Sequence, residues 1–154
     1  MQPDPIALRP AMPGDAAAIS VLVRGLARRW IVPDCSEEGA AALLESMSEE
    51  KTRERLQEGY RYVVAERGDR IVGVAALRLP SHLYHLFVAE EAQRLGVARR
   101  LWESVREHAD PAAPVTVNAS RHARAVYDRF GFVEVQPEQL DRGILRTPMI
   151  WHWR

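Results

Sequence analysis

A short segment near the middle of the chain, QRLGVAR at residues 93–99, combines residue types that bind phosphate groups. From Val97 onward, apolar residues recur every four positions, which predicts an amphipathic helix that begins beside Gly96. A helix N-terminus offers free amides and the positive end of the helix dipole, and a glycine there lets an anion approach the backbone. Ala98 is similarly small, so the segment predicts a diphosphate site. Three arginines add positive charge at the same end: Arg94, Arg99 and Arg100.

The same segment also has a plainer interpretation. Gly96 could simply allow a strand-to-helix turn to close, with the arginines solvated. Two other phosphate motifs fit poorly: the dinucleotide fingerprint needs several glycines after an opening βαβ unit, and the P-loop needs Gly-Lys-Ser/Thr. On the residues alone, the turn and the phosphate site both remain open.

The elements around this segment predict an α/β or α+β domain built on one mixed sheet. The clearest is a hairpin over residues 60–79, in which two β-branched runs flank Gly68 and Asp69 at a tight turn. The other predicted strands lie at 6–11, 82–89, 113–118, 132–135 and 144–153. Helices are predicted over the set Ile19 to Leu26, from Ser36 through Met47, from Ser48 to Gly59, from Val97 through Ala109, and at 120–130.

Composition excludes several classes of function. The 154 residues, 47% of them hydrophobic, suit a single domain over residues 1–154 with a substantial core. Charges balance at 21 basic and 21 acidic side chains, so we expect neither nucleic acid nor a membrane as partner. The one cysteine, Cys35, cannot form an internal disulfide, and no apolar run reaches the ~20 residues of a membrane span. The N-terminus lacks a secretory pattern, so we expect a cytoplasmic protein.

Two motifs resemble the GNAT superfamily of acyl-CoA N-acyltransferases. The first is Gln93-x-x-Gly96-x-Ala98 after the strand LFVA, which is similar to the family's Q/R-x-x-G-x-G/A motif. The second is VNASRHARAVYDRFGF at 117–132, which resembles its N…A-x-x-x-Y-x-x-x-G-F stretch. Its matching positions are Asn118, Ala123, Tyr127, Gly131 and Phe132. With the element order, the resemblance covers essentially the whole chain, although the first 60 residues match only in layout.

The resemblance implies a GNAT-like fold and acetyl-CoA as co-substrate, with no metal. The expected fold is a central mixed, mostly antiparallel sheet flanked by about four helices, with two splayed strands forming the acetyl-CoA cleft. Pantetheine would bind the strand backbone, and the pyrophosphate would bind the glycine-containing loop. The implied cofactor-binding residues are Leu86, Phe87, Val88, Gln93, Arg94, Leu95, Gly96, Val97, Ala98, Arg99 and Asn118. Asn118 could instead cap the helix that follows it.

The resemblance also implies direct attack of a neutral amine on the acetyl thioester, without a covalent enzyme intermediate. A backbone amide within Leu86 to Val88 would polarise the thioester carbonyl. Tyr127 matches the family's general acid, which would protonate the departing thiolate, and a phenol with a pKa near ~10 carries its proton at neutral pH. Without the motif, Tyr127 would be interpreted as a core aromatic residue.

The general base is less defined by the resemblance. Related sequences often place a carboxylate just before the LFV stretch, and Tyr84 and His85 stand there instead. His85 is the best single candidate by pKa. Strand alternation predicts that His85 shares a face with Leu83 and Phe87, opposite Tyr84, where packing would make it a core histidine. His82, on the face of Tyr84, is an alternative base, and the opposite directions of the two histidines argue against a metal site.

The acceptor amine is expected near the loop between the first two helices. Trp30 and Asp34 there, with Tyr84, are the candidate substrate residues, since an aromatic wall and negative charge suit a cationic amine. The predicted function is acetylation of a primary amine on a small molecule. Two alternatives remain: a CoA-binding module or sensor without activity, and acetylation of protein or peptide amines. A homodimer is expected by analogy with the family.

Overall fold

An eight-stranded mixed sheet forms the centre of the molecule in a computed structural model, which describes residues 4–154. Residues 1–3, the start of the segment considered above for a secretory signal, lie outside the described residues. The strands are β1 (Ile6–Pro10), β2 (Arg61–Arg67), β3 (Arg70–Arg78), β4 (His82–Val88), β5 (Val115–Ala119), β6 (Val133–Glu134), β7 (Gln139–Asp141) and β8 (Ile144–Trp151). The helices are α1 (Ala16–Trp30), α2 (Glu37–Ser46), α3 (Glu49–Gln57), α4 (Val97–Arg106) and α5 (Arg124–Phe130).

The sheet has the order β1-β2-β3-β4-β5-β8-β6, and β7 pairs with β8 outside this path. Every pairing is antiparallel except that of β4 with β5, which is parallel. The predicted mixed, mostly antiparallel sheet is therefore confirmed, and the described residues form five α-helices where about four were expected.

Two apolar clusters hold helices against opposite faces of the sheet. On one face, α1 buries Ile19, Val23 and Ala27, whose four-residue spacing gives one apolar stripe, against β2 and β3. On the other, α4 buries a similar stripe together with Trp102. The two clusters therefore fix α1 and α4 on opposite faces of the sheet.

Two stretches differ from the sequence prediction. Residues 120–123 form a turn rather than the first turn of a helix, because the Ser120 side chain and carbonyl both accept from the Ala123 amide, so α5 begins at Arg124. The additional strand β7 was not predicted because it is short and polar. It joins β8 through a turn at Gly143, whose φ of 81° favours glycine.

A β-bulge in β4 changes which way its side chains point. The pairing with β3 passes from Ala76 opposite His85 to Leu77 opposite Leu83, so Tyr84 is an extra residue. The prediction from strict alternation, that Tyr84 and His85 point to opposite faces, is therefore wrong. The bulge instead brings their rings to a centroid distance of 4.4 Å, while Leu83 packs in the α4 cluster.

Candidate active site

The two central parallel strands separate soon after they meet. β4 and β5 pair only at His82 with Thr116 and at Leu83 with Val117. The rest of β4 has no partner on this side, and a cavity of about 700 Å³ opens there between β4, β5 and α5. This separation supplies the expected cleft between splayed strands.

The backbone of β4 presents donors to this cleft. The Ala89 amide donates to the Val72 carbonyl on β3 over 2.8 Å. Since amides alternate in direction along a strand, those of Leu86 and Val88 point away from β3 and toward the cavity. Both residues line the cavity, so two backbone donors face the space where a polarised carbonyl oxygen could bind.

The loop before α4 has the backbone geometry of an anion site. Gly96 is the residue that precedes the helix and has φ 77° and ψ 9°, and Arg94 also has a positive φ, of 65°. A Cβ on Gly96 would contact nothing, so the positive φ, rather than crowding within the protein, requires glycine. The first helical bond runs from the Arg100 amide to the Gly96 carbonyl over 3.1 Å, which leaves the amides before Arg100 without helical acceptors.

Most of the predicted cofactor residues line one continuous cavity. Gln93 also has a structural role, because its side-chain amide donates to the Val88 carbonyl over 3.0 Å and ties the loop to β4. Arg99 lies with its guanidinium carbon 4.9 Å from the centroid of the Phe130 ring, between α4 and α5. Leu95 is exposed and lies outside the cavity lining. The lining includes Leu86, Phe87, Val88, Gln93, Arg94, Gly96, Val97, Ala98, Arg99 and Asn118.

Tyr127 projects from α5 into the cavity wall. Its side chain is buried and packs edge-on against Phe132, with ring centroids 5.4 Å apart. Burial raises the pKa of the Tyr127 phenol well above its usual value, because the charged phenolate is poorly solvated there. The phenol therefore holds its proton throughout the physiological range, as a general acid must before it acts.

The two candidate bases also line the cavity, but both are weak bases. His85 lies between the rings of Tyr84 and Phe87, and burial, followed by the charge of Arg55, lowers its pKa to about 3. Burial likewise lowers the pKa of His82 to about 4, and its Nδ1 lies 2.6 Å from the Thr116 hydroxyl. Both imidazoles are therefore neutral at pH 7 and can accept a proton only transiently.

Arg55 is a buried cation beneath this wall that sequence reasoning missed. Its side chain is 8% exposed, and its Nε donates to the Tyr62 hydroxyl over 2.9 Å. Its guanidinium carbon lies 5.0 Å from the Tyr84 ring centroid, in the range of a cation–π contact. No carboxylate pairs with it among residues 4–154. The only sequence signal was its spacing of three from Thr52, which is also buried.

An aromatic pair that the sequence did not indicate lines the other end of the cavity. Trp30 at the end of α1 stacks on His122 from the β5–α5 turn, with centroids 3.8 Å apart and planes at 8°. Beside them, Arg121 pairs with Asp34 at 3.8 Å and with Glu138 at 2.7 Å. Trp30 and Tyr84 line the cavity, whereas Asp34 does not. Asp34, the carboxylate that was predicted to make the acceptor site negative, therefore pairs with Arg121 and lies outside the cavity lining.

The described residues show neither a metal-binding cluster nor a membrane-spanning helix. Among residues 4–154, no group of three or more His, Cys, Asp or Glu side chains is arranged to hold a metal ion. No helix in the same residues is both long and apolar enough to cross a membrane.

The comparisons with known proteins agree with this geometry. The family model described as Acetyltransferase (GNAT) domain matches residues 31–153. A GCN5-related N-acetyltransferase from Rhodopseudomonas palustris is 26% identical, with 99% of each chain covered and a TM-score of 0.81. PaiA N-acetyltransferase from Thermoplasma acidophilum, solved in complex with coenzyme A, is 15% identical, with 96% of this chain and 99% of that chain covered and a TM-score of 0.72. YncA from Salmonella typhimurium, solved with acetyl-CoA, is 16% identical, with 96% and 94% covered and a TM-score of 0.68. A search of curated proteins finds no match.

Proposed function

Because the chain belongs to the GNAT acetyltransferase family, we propose that it transfers the acetyl group of acetyl-CoA to the primary amine of a small molecule. The observation that carries the proposal is the single cavity that contains the β4 amides, the anion-binding loop before α4 and the Tyr127 phenol. Structural neighbours with coenzyme A or acetyl-CoA bound share the fold, which supports the same co-substrate here.

The residues of this cavity suit the parts of acetyl-CoA. Its pyrophosphate would bind the amides of residues 94–99, where the positive φ of Gly96 opens the backbone and Arg94 and Arg99 add charge. The pantetheine arm would lie along Leu86 to Val88, and Asn118 faces the same space from β5. Acetyl-CoA supplies the thioester, which is the activated carbonyl of the reaction.

The mechanism that we propose divides the work among backbone and side chains. The amide of Leu86 or Val88 stabilises negative charge on the carbonyl oxygen. The amine nitrogen forms the new C–N bond as the C–S bond breaks, and Tyr127 gives its proton to the sulfur. The amine loses a proton to His85 or, through water, to solvent, and solvent restores the proton of Tyr127. No covalent bond to the protein forms.

His85 is the proposed base, and the neutral state of its imidazole is what allows it to serve. Because its pKa is about 3, it is a weak acceptor that must pass the proton on rather than store it. The deprotonated fraction of the amine in solution then sets much of the rate below the amine pKa. Among residues 4–154, no carboxylate that could act as a base lines the cavity.

Calorimetric titration with acetyl-CoA tests the proposal. The wild type should bind, and Gly96→Glu should bind at least ~10-fold more weakly, because its carboxylate repels the pyrophosphate. Gly96→Gln has the same size and the same strained φ without the charge, so it is the matched control and should lose less affinity. Absence of binding to the wild type would contradict the proposed function. Binding should be followed by thiol release when amines are added.

The second candidate function is a CoA-binding sensor without transfer activity. The observation that favours it is that none of the described residues lining the cavity carries a carboxylate. A sensor should bind acetyl-CoA and release no thiol with any amine, whereas the enzyme should do both.

A further inference from the structure

The acceptor end of the cavity is apolar. This pocket, here called the acceptor pocket, is formed by side chains from α1, α2, the residue that follows α2, β4 and β8: Leu26, Trp30, Leu43, Met47, Tyr84 and Leu145. Leu43, Met47 and Tyr84 also belong to or pack against the α1-side apolar cluster, so their positions are fixed by the core. Its walls therefore offer hydrophobic surface and aromatic faces to a bound molecule.

The charged side chain in this part of the cavity wall is basic. None of the described residues that line the cavity is an aspartate or glutamate, whereas Arg146 lines it from β8. Three carboxylates near this end are paired with arginines: Asp34 and Glu138 with Arg121, and Asp141 with Arg146. The acidic side chains of α2, which are Glu37, Glu38 and Glu45, are exposed and lie outside the cavity lining. A second cationic group on an acceptor would therefore find no free carboxylate on the cavity wall.

A single ammonium group can nevertheless enter such a pocket. The faces of Trp30 and Tyr84 attract a cation, although each ring already has an arginine guanidinium near it, from Arg29 and Arg55 respectively. Arg29 is paired with Glu90, whereas Arg55 has no carboxylate partner among the described residues. The charge of Arg55 favours the neutral form of the bound amine, which is the form that reacts. The rest of the acceptor would be held by apolar contact.

From this lining we propose that the acceptor is a monoamine whose amino group is carried by an aromatic or branched apolar body, and that diamines and polyamines are disfavoured. The inference rests on the proposed acetyltransferase function and specifies its substrate class. Leu43 is the side chain on which specificity can be tested, because it lines the cavity from α2 and belongs neither to β4 nor to α5, which carry the proposed catalytic groups.

Steady-state thiol release with two amines of similar length tests the inference. The wild type should acetylate 2-phenylethylamine with a kcat/KM at least ~10-fold above that for 1,5-diaminopentane, since one charged end of the diamine would remain buried without a partner. A preference for the diamine or for spermidine would overturn the inference while leaving the acetyltransferase function intact.

A pair of variants at Leu43 separates charge from shape. Leu43→Glu should shift the kcat/KM ratio toward the diamine by about 10-fold, whereas the isosteric Leu43→Gln should not. An equal ratio in the two variants would overturn the inference. Acetyl-CoA affinity and a thermal unfolding temperature equal to those of the wild type show that each variant is folded. If the Leu43 variants do not fold, Ser46→Asp and Ser46→Asn are the second pair, because Ser46 also lines the cavity.

Calorimetry with acetyl-CoA distinguishes failure of the proposed function from failure of the inferred substrate class. A wild type that does not bind acetyl-CoA by calorimetry refutes the function itself, and the inference falls with it. Acetyl-CoA binding with no thiol release from any amine supports the sensor and also overturns the inference.

Discussion

At the scale of single residues, Tyr127 is the side chain whose chemistry is tested most directly. Tyr127→Phe should lower kcat by ~10²–10⁴-fold, the usual contribution of a general acid, because the sulfur would then leave without a proton donor. Acetyl-CoA affinity and stability should change little, since the ring still packs against Phe132. The measurement is kcat together with calorimetric Kd.

Tyr60→Phe is the matched control for that substitution. Tyr60 packs edge-on against Tyr84 with centroids 5.4 Å apart and does not line the cavity. Its variant should keep its kcat. In the wild type the raised pKa of Tyr127 adds a second check, because the acid stays protonated at high pH. The wild-type rate should therefore rise with pH as the amine deprotonates, and it should show no decline from ionisation of Tyr127 near pH ~10. If the Tyr127→Phe enzyme keeps the kcat of the wild type, Tyr127 is not the general acid.

The residue scale also shows where sequence reasoning reaches its limit. The motifs predicted the cofactor-side residues of the cavity lining, except Leu95, because the family spacing fixes them relative to strand and helix. The surroundings of His85 could not be predicted, because they depend on a bulge at Tyr84 and on Arg55 from α3, 30 positions earlier in the chain. Sequence reasoning could not foresee His122 either, since only tertiary packing brings it onto Trp30.

At the scale of elements, α2 and the β7–β8 turn hold each other at the acceptor end of the cavity. The Ser36 amide donates to the Gly143 carbonyl over 2.8 Å, and a Cβ on Gly39 would overlap the backbone of Gly143. Gly39 is therefore required by close approach, although it lies inside a helix where glycine is otherwise unfavourable.

Gly39→Ala should consequently destabilise the protein by about 1–3 kcal/mol, since backbone rather than a flexible side chain must move. Gly25→Ala is its control, because Gly25 lies in α1 with open space around its Cβ and should gain roughly 0.5–1 kcal/mol from helix propensity. Urea unfolding of both variants gives the comparison. Gly39→Ala should also raise KM for the amine more than the Kd for acetyl-CoA. Equal stabilisation by the two alanines would show that the α2 contact with Gly143 yields without cost.

Elements whose apolar residues recur with a clear period were predicted from the sequence. Elements whose bounds depend on a capping hydrogen bond or on a neighbouring strand were not. The apolar stripes of α1 and α4 and the β2–β3 hairpin follow from side-chain spacing alone. By contrast, the start of α5 is fixed by Ser120, whose side chain accepts a hydrogen bond from the Ala123 amide. Strand β7 is defined by its pairing with β8. Such elements leave no periodic pattern in the sequence.

At the scale of the whole molecule, a net charge of zero conceals an uneven distribution of charge. The chain has 21 basic and 21 acidic side chains, yet the cavity is lined by four arginines and no carboxylate among the described residues. Three of these arginines, Arg94, Arg99 and Arg129, lie on the loop and helices at the acetyl-CoA end. The local field therefore favours a polyanion, although the average composition favours none.

This uneven distribution predicts a salt effect on co-substrate binding that composition does not. Raising the salt concentration from ~50 mM to ~500 mM should weaken acetyl-CoA binding by roughly 10-fold, because exposed arginine–phosphate attractions are screened over a few ångströms at high salt. Arg99→Gln should lower both the affinity and its dependence on salt. Arg53→Gln, on α3 and paired with Glu49 at 2.8 Å, is the control and should leave both unchanged. Calorimetry across the salt range gives the slopes, and a slope in Arg99→Gln equal to that of the wild type would place the phosphates elsewhere in the cavity.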